Sequence, residues 1–230
     1  MLYENYEQVV ENVKKACERS GRNFQDVTII AVSKTKPLSD VEELLSHGVM
    51  EFGENKVQEM VDKYEHVSKP VHWHLIGHLQ TNKVKYIVDK ACMIHSVDSV
   101  HLAKEIEKEA AKKDVIVNVL LEVNIAHEET KFGIREDEVY SLIDAIKDMP
   151  HIRVKGLMTI APFVENPEEN RGYFRKMHQL SLDIKSKCID NIDMSVLSMG
   201  MTNDYEIAVE EGATMIRVGT AIFGARNYNI

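Results

Sequence analysis

Short apolar runs alternate with amphipathic segments along the whole of this chain. Leu2, Tyr6, Val9, Val10, Val13 and Cys17 recur at helical spacing and Gly21 follows them, which predicts a helix over residues 2–20. Residues 27–32, VTIIAV, then read as a strand buried on both faces, being apolar and rich in β-branched side chains. Further strands are predicted at 49–53, 71–76, 93–97, 115–123, 152–160, 194–197 and 214–218, the run at 115–123 being the longest. Helices fall between them at 40–47, 55–66, 81–90, 100–112, 136–147, 167–187 and 203–211, and a last one starts after Gly219-Thr220. Ser39 to Glu42 and Asn203 to Glu206 have the form of capping boxes, and Pro167 suits the first position of its helix. Eight strands, each followed by a helix or the start of one, predict an α/β fold: a single (β/α)8 TIM barrel with an additional N-terminal helix packing at one end. No composition shift or Pro/Ser-rich linker divides the chain, so residues 1–230 are expected to form one domain. A doubly wound open sheet is the alternative arrangement of the same elements.

Composition narrows the function classes. Hydrophobic residues make up 44% and charged residues 28% of the 230, as in an ordinary globular protein. A formal net charge of −9 argues against nucleic-acid or anionic-membrane binding driven by overall charge. Cys17, Cys92 and Cys188 are scattered and odd in number, which suggests reduced thiols in a cytoplasmic protein. The acidic start MLYENYEQVV is not a signal peptide, and no run has the length of a membrane span.

In a barrel of this kind the active face lies at the carboxyl ends of the strands. Chemically distinctive residues fall there repeatedly: Lys34 and Lys36, Glu54-Asn55, Gly77-His78, Asn124, Met158-Thr159, Ser198 to Thr202, and Arg217 to Thr220. By strand parity Lys34 shares a face with Ile30 and Val32, and Lys36 follows on that face as its neighbour. A strand-end lysine on its own reaches into solvent. Gly200 and Gly219 change that reading, because each stands with hydroxyl residues just before a helix start, where backbone N–H groups favour an anion. They either cradle a phosphate or simply make tight turns. A lysine beside a phosphate cradle points to an aldehyde-bearing phosphate cofactor held as an imine, since burial and a nearby cation both favour the free amine. Arg217 precedes Gly219 by two residues on the same face. Its fixed charge could keep a cofactor ring nitrogen unprotonated, or it could form a salt bridge in the barrel mouth. His72 and His74 share a strand face, but no further ligand set joins them, so hydrogen bonds are expected there and no metal.

The segments AVSKTKP (31–37), FGENKVQE (52–59), WHLIGHLQTNK (73–83), KFGI (131–134), GLMTI (156–160) and LSMGMTNDYEIAVEEGATMIRVGTAIFGAR (197–226) resemble the pyridoxal phosphate homeostasis proteins, whose fold is similar to the barrel domain of alanine racemase. The resemblance implies that Lys34 carries pyridoxal 5′-phosphate as an internal aldimine. It implies that Ser198, Gly219 and Thr220 hold the phosphate, that Arg217 faces the pyridine nitrogen, and that Asn55 and Met158 line the ring. Lys36 and Lys131 match lysines that assist loading or release of the cofactor. The function it implies is that of a carrier or buffer in intracellular vitamin B6 homeostasis, with no catalytic residues and with pyridoxal-phosphate-dependent apo-enzymes as recipients.

Two enzyme readings compete with the carrier. An amino-acid racemase needs a second base opposite the lysine, usually a tyrosine from another domain, and no such domain is expected so close to the last strand. Only Tyr205 and Tyr228 lie near the predicted active-face loops. A lysine aldolase or lyase acting on a phosphorylated sugar would use Lys34 as nucleophile without a cofactor. A barrel lacking a dimerising second domain points to a monomer.

Overall fold

The computed structural model describes residues 1–225. Eight parallel strands follow one another in chain order around a closed barrel: β1 (Thr28–Val32), β2 (Glu51–Glu54), β3 (His72–Leu75), β4 (Ala91–Val97), β5 (Val117–Glu122), β6 (Ile152–Met158), β7 (Ile192–Ser198) and β8 (Met215–Val218). Closure is made by β8 on β1, with Ile30 opposite Arg217 and Ala31 opposite Val218. The open-sheet alternative is therefore set aside. The helices are α1 (Leu2–Ser20), α2 (Leu38–Ser46), α3 (Val57–His66), α4 (Val100–Lys113), α5 (Val139–Ile146), α6 (Arg171–Ser186), α7 (Tyr205–Glu210) and α8 (Thr220–Phe223).

Strand alternation divides the apolar residues between two cores. Outward residues such as Ile29 and Ala31 of β1 join the large cluster beneath the helices. A smaller cluster of Met93, Leu120 and Met158 fills part of the barrel interior. Strands β1 (TIIAV) and β5 (VNVLLE) are buried almost throughout and read as near-continuous apolar runs, whereas β2 (EFGE), β3 (HWHL) and β7 (IDMSVLS) are broken by polar residues.

Several elements depart from expectation for physical reasons. Residues 81–90 form only a 3-10 segment, Thr81–Tyr86, followed by turns. Thr81, Val84, Ile87 and Val88 are β-branched and disfavour a sustained α-helix. The expected helices at 136–147 and 167–187 likewise open as 3-10 turns before becoming α5 and α6. No capping box forms at Ser39, because α2 already starts at Leu38 with Pro37 as its cap. Asp204, not Asn203, caps α7, and its Oδ1 accepts from the Met201 N–H at 2.8 Å. The strand expected to be longest, β5, has 6 residues, against 7 in β4, β6 and β7.

The N-terminal helix is not an end cap. Its buried residues Val9, Val13, Ala16 and Cys17 belong to the main core, and α1 packs on α2, α7 and α8 within the outer ring. With only four residues, α8 is too short to cover the β8–β1 closure, and α1 takes that place. Long-range hydrogen bonds fix it there: Asn5 Nδ2 donates to the Ile222 carbonyl (2.9 Å) and Asn12 Nδ2 to the Tyr205 hydroxyl (2.9 Å).

Gly156 lies where β6 slips register against both β5 and β7. A Cβ there would stand 1.7 Å from the Val196 carbonyl oxygen. Gly156→Ala is expected to cost on the order of 3–5 kcal/mol, seen as a fall in Tm of roughly 10 °C or more in a thermal scan. An unchanged Tm would mean the strands can part at this point without penalty.

Candidate functional site

A cavity of about 500 Å³ opens at the carboxyl ends of the strands. Its wall brings together Lys34 from the turn after β1, Asn55 after β2, Arg217 from β8, and Gly219 and Thr220 at the start of α8. Five of the seven residues singled out from the sequence therefore meet in one pocket. The other two do not reach its wall. Met158 is fully buried in the interior cluster, and the Ser198 hydroxyl is turned into the barrel, bonded to His95 and Arg217. Apolar Ile76, Ile160 and the exposed Phe163, together with Asn203, line the pocket without having been read from the sequence. Their side chains are ordinary, and only the folding of separate loops onto one rim gives them a role.

The turn that carries Lys34 is clamped from both sides. Ser33 Oγ donates to Glu54 Oε1 at 2.6 Å, and the Thr35 N–H donates to Glu59 Oε1 at 2.6 Å. Between them sits the buried ammonium of Lys63, which donates to the Ser33 carbonyl (2.8 Å), Glu54 Oε1 (2.7 Å) and Glu59 Oε1 (2.9 Å). Burial pushes the Glu54 carboxyl up, while Lys63 and Ser33 act against the rise. Thr35 has φ 64°, so strand alternation ends before it. Lys36 consequently does not neighbour Lys34 in the way parity suggested: its Nζ donates to the carbonyls of Phe223 (2.8 Å) and Ala225 (3.4 Å).

The two glycines proposed for a phosphate cradle differ. Gly200 has φ 92°, and a Cβ on it would lie 2.6 Å from Ala208 Cβ, so packing against α7 explains that glycine. Gly219 has φ −111°, and a Cβ there would meet nothing nearer than 3.4 Å. Neither backbone nor packing demands glycine at 219. The nearest neighbours of that missing Cβ are atoms of Val32, which lines the same pocket as Gly219 and Thr220.

Electrostatics in the mouth are dominated by Arg217, which is 3% exposed. Its Nη1 donates to Ser198 Oγ (2.6 Å) and its Nη2 to the Thr159 carbonyl (2.8 Å). Burial pushes the guanidinium down to about 10, opposed by Glu122 and Asp204, so it stays charged at neutral pH. Glu122 is pushed up to about 7, first by burial and then by Asp98, with Arg217 acting against the rise. Neither carboxylate stood out in the sequence, because their proximity depends on adjacent strand ends.

Beneath the pocket the histidines are tied to Glu51: His72 Nδ1 at 2.6 Å and His74 Nε2 at 2.7 Å. One donor atom each from Glu51, His74 and Cys92 lies within 4.8 Å of the others. Burial, helped by Glu51, pushes the Cys92 thiol to about 12, which keeps the sulfur protonated and a weak ligand. Asn124 organises the following loop, its Nδ2 donating to the Glu128 carbonyl (2.8 Å). That loop sets Lys131 Nζ against the Ala161 carbonyl (3.0 Å) and Glu128 Oε1 (2.7 Å). The Tyr205 hydroxyl is engaged by Asn12 of α1, on the outer ring, and Tyr228 lies outside the described residues. Among the described residues no helix is long and apolar enough to cross a membrane.

Comparison with known proteins agrees over nearly the full length. The family model for the N-terminal domain of alanine racemase matches residues 5–227. The pyridoxal phosphate homeostasis protein of Aquifex aeolicus is 44% identical over 226 residues, covering 98% of each chain. The structure of PipY from Synechococcus elongatus with pyridoxal phosphate bound superposes with a TM-score of 0.81 at 30% identity, covering 93% of this chain and all of that one. Alanine racemase of Clostridium difficile shares the fold, with a TM-score of 0.77 at 13% identity over 99% of this chain and 60% of that one.

Lys63→Met would leave Glu54 buried without its cation, and a loss of about 3 kcal/mol is expected. Adding Glu54→Gln should restore part of it, and denaturant unfolding of the single and double variants measures both. Glu122 gives a pH signature. Its folded value near 7 exceeds the ordinary carboxylate value, so the folded state holds the extra proton between the two. Its contribution to stability is therefore present below the unfolded value and lost as pH rises to about 7, by up to on the order of 3 kcal/mol. Glu122→Gln should flatten that slope in unfolding curves taken from pH 4.5 to pH 8. A slope identical to the parent's would show that Glu122 is not the titrating group.

Proposed function

The chain belongs to the family of pyridoxal phosphate homeostasis proteins, built on the alanine racemase N-terminal barrel, and we propose that it binds pyridoxal 5′-phosphate through Lys34 and acts as an intracellular carrier or buffer of that cofactor. The observation that carries the reading is the convergence of Lys34, Asn55, Arg217, Gly219 and Thr220 on one pocket. Bound there, the cofactor supplies an aldehyde for the lysine amine and a ring that can withdraw electrons. Lys34 is the covalent anchor. Gly219 and Thr220 would hold the phosphate, and Asn55, on the same pocket wall, would line the ring. Arg217, still charged at neutral pH, would face the ring nitrogen and keep it unprotonated. Such a ring is a poor electron sink, which suits holding the cofactor better than turning over an amino acid.

The pocket offers little support for racemisation. Tyr205, one of two tyrosines considered for the second base, spends its hydroxyl on Asn12. Recipient apo-enzymes would approach the open strand-end face, where Phe163 and Met201 are exposed at the rim. Lys131 and Lys36 stand on either side of this face and assist loading and release in this reading.

Purified protein supplied with pyridoxal phosphate should turn yellow, and after borohydride reduction the pyridoxyl group should map to the peptide bearing Lys34. Lys34→Ala should stay colourless. A protein that takes up no cofactor would remove the carrier reading and bring forward a cofactor-free lysine aldolase.

A further inference from the structure

A line of polar side chains crosses the barrel interior from its amino-terminal rim to the pocket. Glu51 Oε2 lies 2.7 Å from His74 Nε2; His74 Nδ1 lies 2.9 Å from His95 Nε2; His95 Nδ1 lies 3.0 Å from Ser198 Oγ; and Ser198 Oγ lies 2.6 Å from Arg217 Nη1. His74, His95, Ser198 and Arg217 are all buried, His95 and Ser198 completely. A barrel of this width is ordinarily filled by layers of apolar side chains, so an unbroken polar line through it calls for an explanation.

Its two ends fix its direction. Arginine can only donate, so Ser198 Oγ accepts from Arg217. Burial acts to raise the Glu51 carboxyl, but hydrogen bonds from His74 and His72 outweigh it and hold the group below the usual carboxylate range. An ionised carboxylate can only accept, so His74 Nε2 carries a hydrogen toward Glu51. Burial, with the Arg217 cation beside it, holds His95 well below the ordinary histidine range, so its ring is neutral. With one hydrogen on each ring, every remaining choice is determined. His74 Nδ1 accepts from His95 Nε2–H, and His95 Nδ1 accepts from the Ser198 hydroxyl. All four hydrogen bonds then point the same way, from a cation at the pocket to an anion at the far rim.

We infer that His74, His95 and Ser198 are positioning residues: a one-directional hydrogen-bond relay, anchored on Glu51, that holds the Arg217 guanidinium in place for the pyridine nitrogen of the cofactor. The inference rests on the proposed binding of pyridoxal phosphate for its functional meaning, but the relay itself is a property of the chain. With Nη1 committed to Ser198 and Nη2 to the Thr159 carbonyl, the guanidinium plane is set before any ligand arrives. Because Ser198 Oγ must both accept from Arg217 and donate to His95, the hydroxyl acts as a hinge between the two halves of the relay. Outer partners of this kind typically tune a bound group by tenfold or more although they never touch it.

Two measurements decide the matter. Nitrogen-15 NMR of the ligand-free, unaltered protein reads the tautomers directly: both rings should be neutral with hydrogen on Nε2. A doubly protonated His74, or a His95 with hydrogen on Nδ1, reverses the relay and overturns the inference. The second measurement uses protein loaded with pyridoxal phosphate and compares His95→Gln with His95→Leu. Glutamine can still donate to His74 and accept from Ser198, whereas leucine keeps bulk and removes both bonds. His95→Leu should weaken cofactor binding about tenfold or more and move its visible absorbance band, and His95→Gln should keep both close to the parent. Equal behaviour of the two variants, with the band unmoved, would reduce the line to packing and sink the inference. Failure of the unaltered protein to take up pyridoxal phosphate counts against the proposed function alone, and the tautomers then decide the relay.

Discussion

A single buried ammonium, that of Lys63, holds the turn on which the pocket depends. It reaches from α3 under the end of β1 and bonds the Ser33 carbonyl and the carboxylates of Glu54 and Glu59, which in turn hold Ser33 Oγ and the Thr35 N–H. The residue between those two fixed points is Lys34. Taking such charges out of water is expensive, and a well-packed apolar replacement is often as stable. The pair therefore makes more sense as a device for position than for stability. Glu54 Oε2, buried without a hydrogen-bond partner among the described residues, shows that the arrangement tolerates a cost to keep its geometry.

The interior of the barrel follows the same logic. Apolar filling, the small cluster around Met93, Leu120 and Met158 together with Ile30, takes only part of the cross-section, and His74, His95, Ser198 and Arg217 run through it as well. Both the lysine turn and the arginine opposite Ile30 are held by neighbours that stay clear of the cavity. The pocket wall is in this sense finished before a ligand reaches it, and its reactive groups sit on strand ends and a clamped turn instead of on a long loop.

The sequence revealed what depends on local pattern. Eight apolar runs with helical stretches between them were enough for the barrel, and Lys34, Asn55, Arg217, Gly219 and Thr220 stood out because each closes a strand or opens a helix. What it hid depends on partners distant in the chain. Lys63 reads as one more charge on an amphipathic helix until Glu54 and Ser33 are seen beside it. Ser198 looked like part of a loop cradle, yet it is the last residue of β7, and strand parity turns it inward to Arg217. Lys36 escaped parity altogether, because Thr35 takes a left-handed conformation that no alternation rule foresees. The N-terminal helix was legible as a helix but not as a wall, since nothing local says that α8 stops after four residues.

That wall has a consequence for how the chain is made. Asn5 bonds Ile222, Asn12 bonds Tyr205, and the Arg22 guanidinium bonds the carbonyls of Val209 and Ala213, spans of 217, 193, 187 and 191 residues. The first strand likewise waits for the eighth. Contacts of such separation form only after the entropy of closing a very long loop has been met. During synthesis α1 and β1 leave the ribosome first and must wait, unpaired on one side, for the final fifth of the chain. Lys34 is translated early, but the cavity it serves comes into being at the last closure, so a partly synthesised chain has no half-strength version of the site.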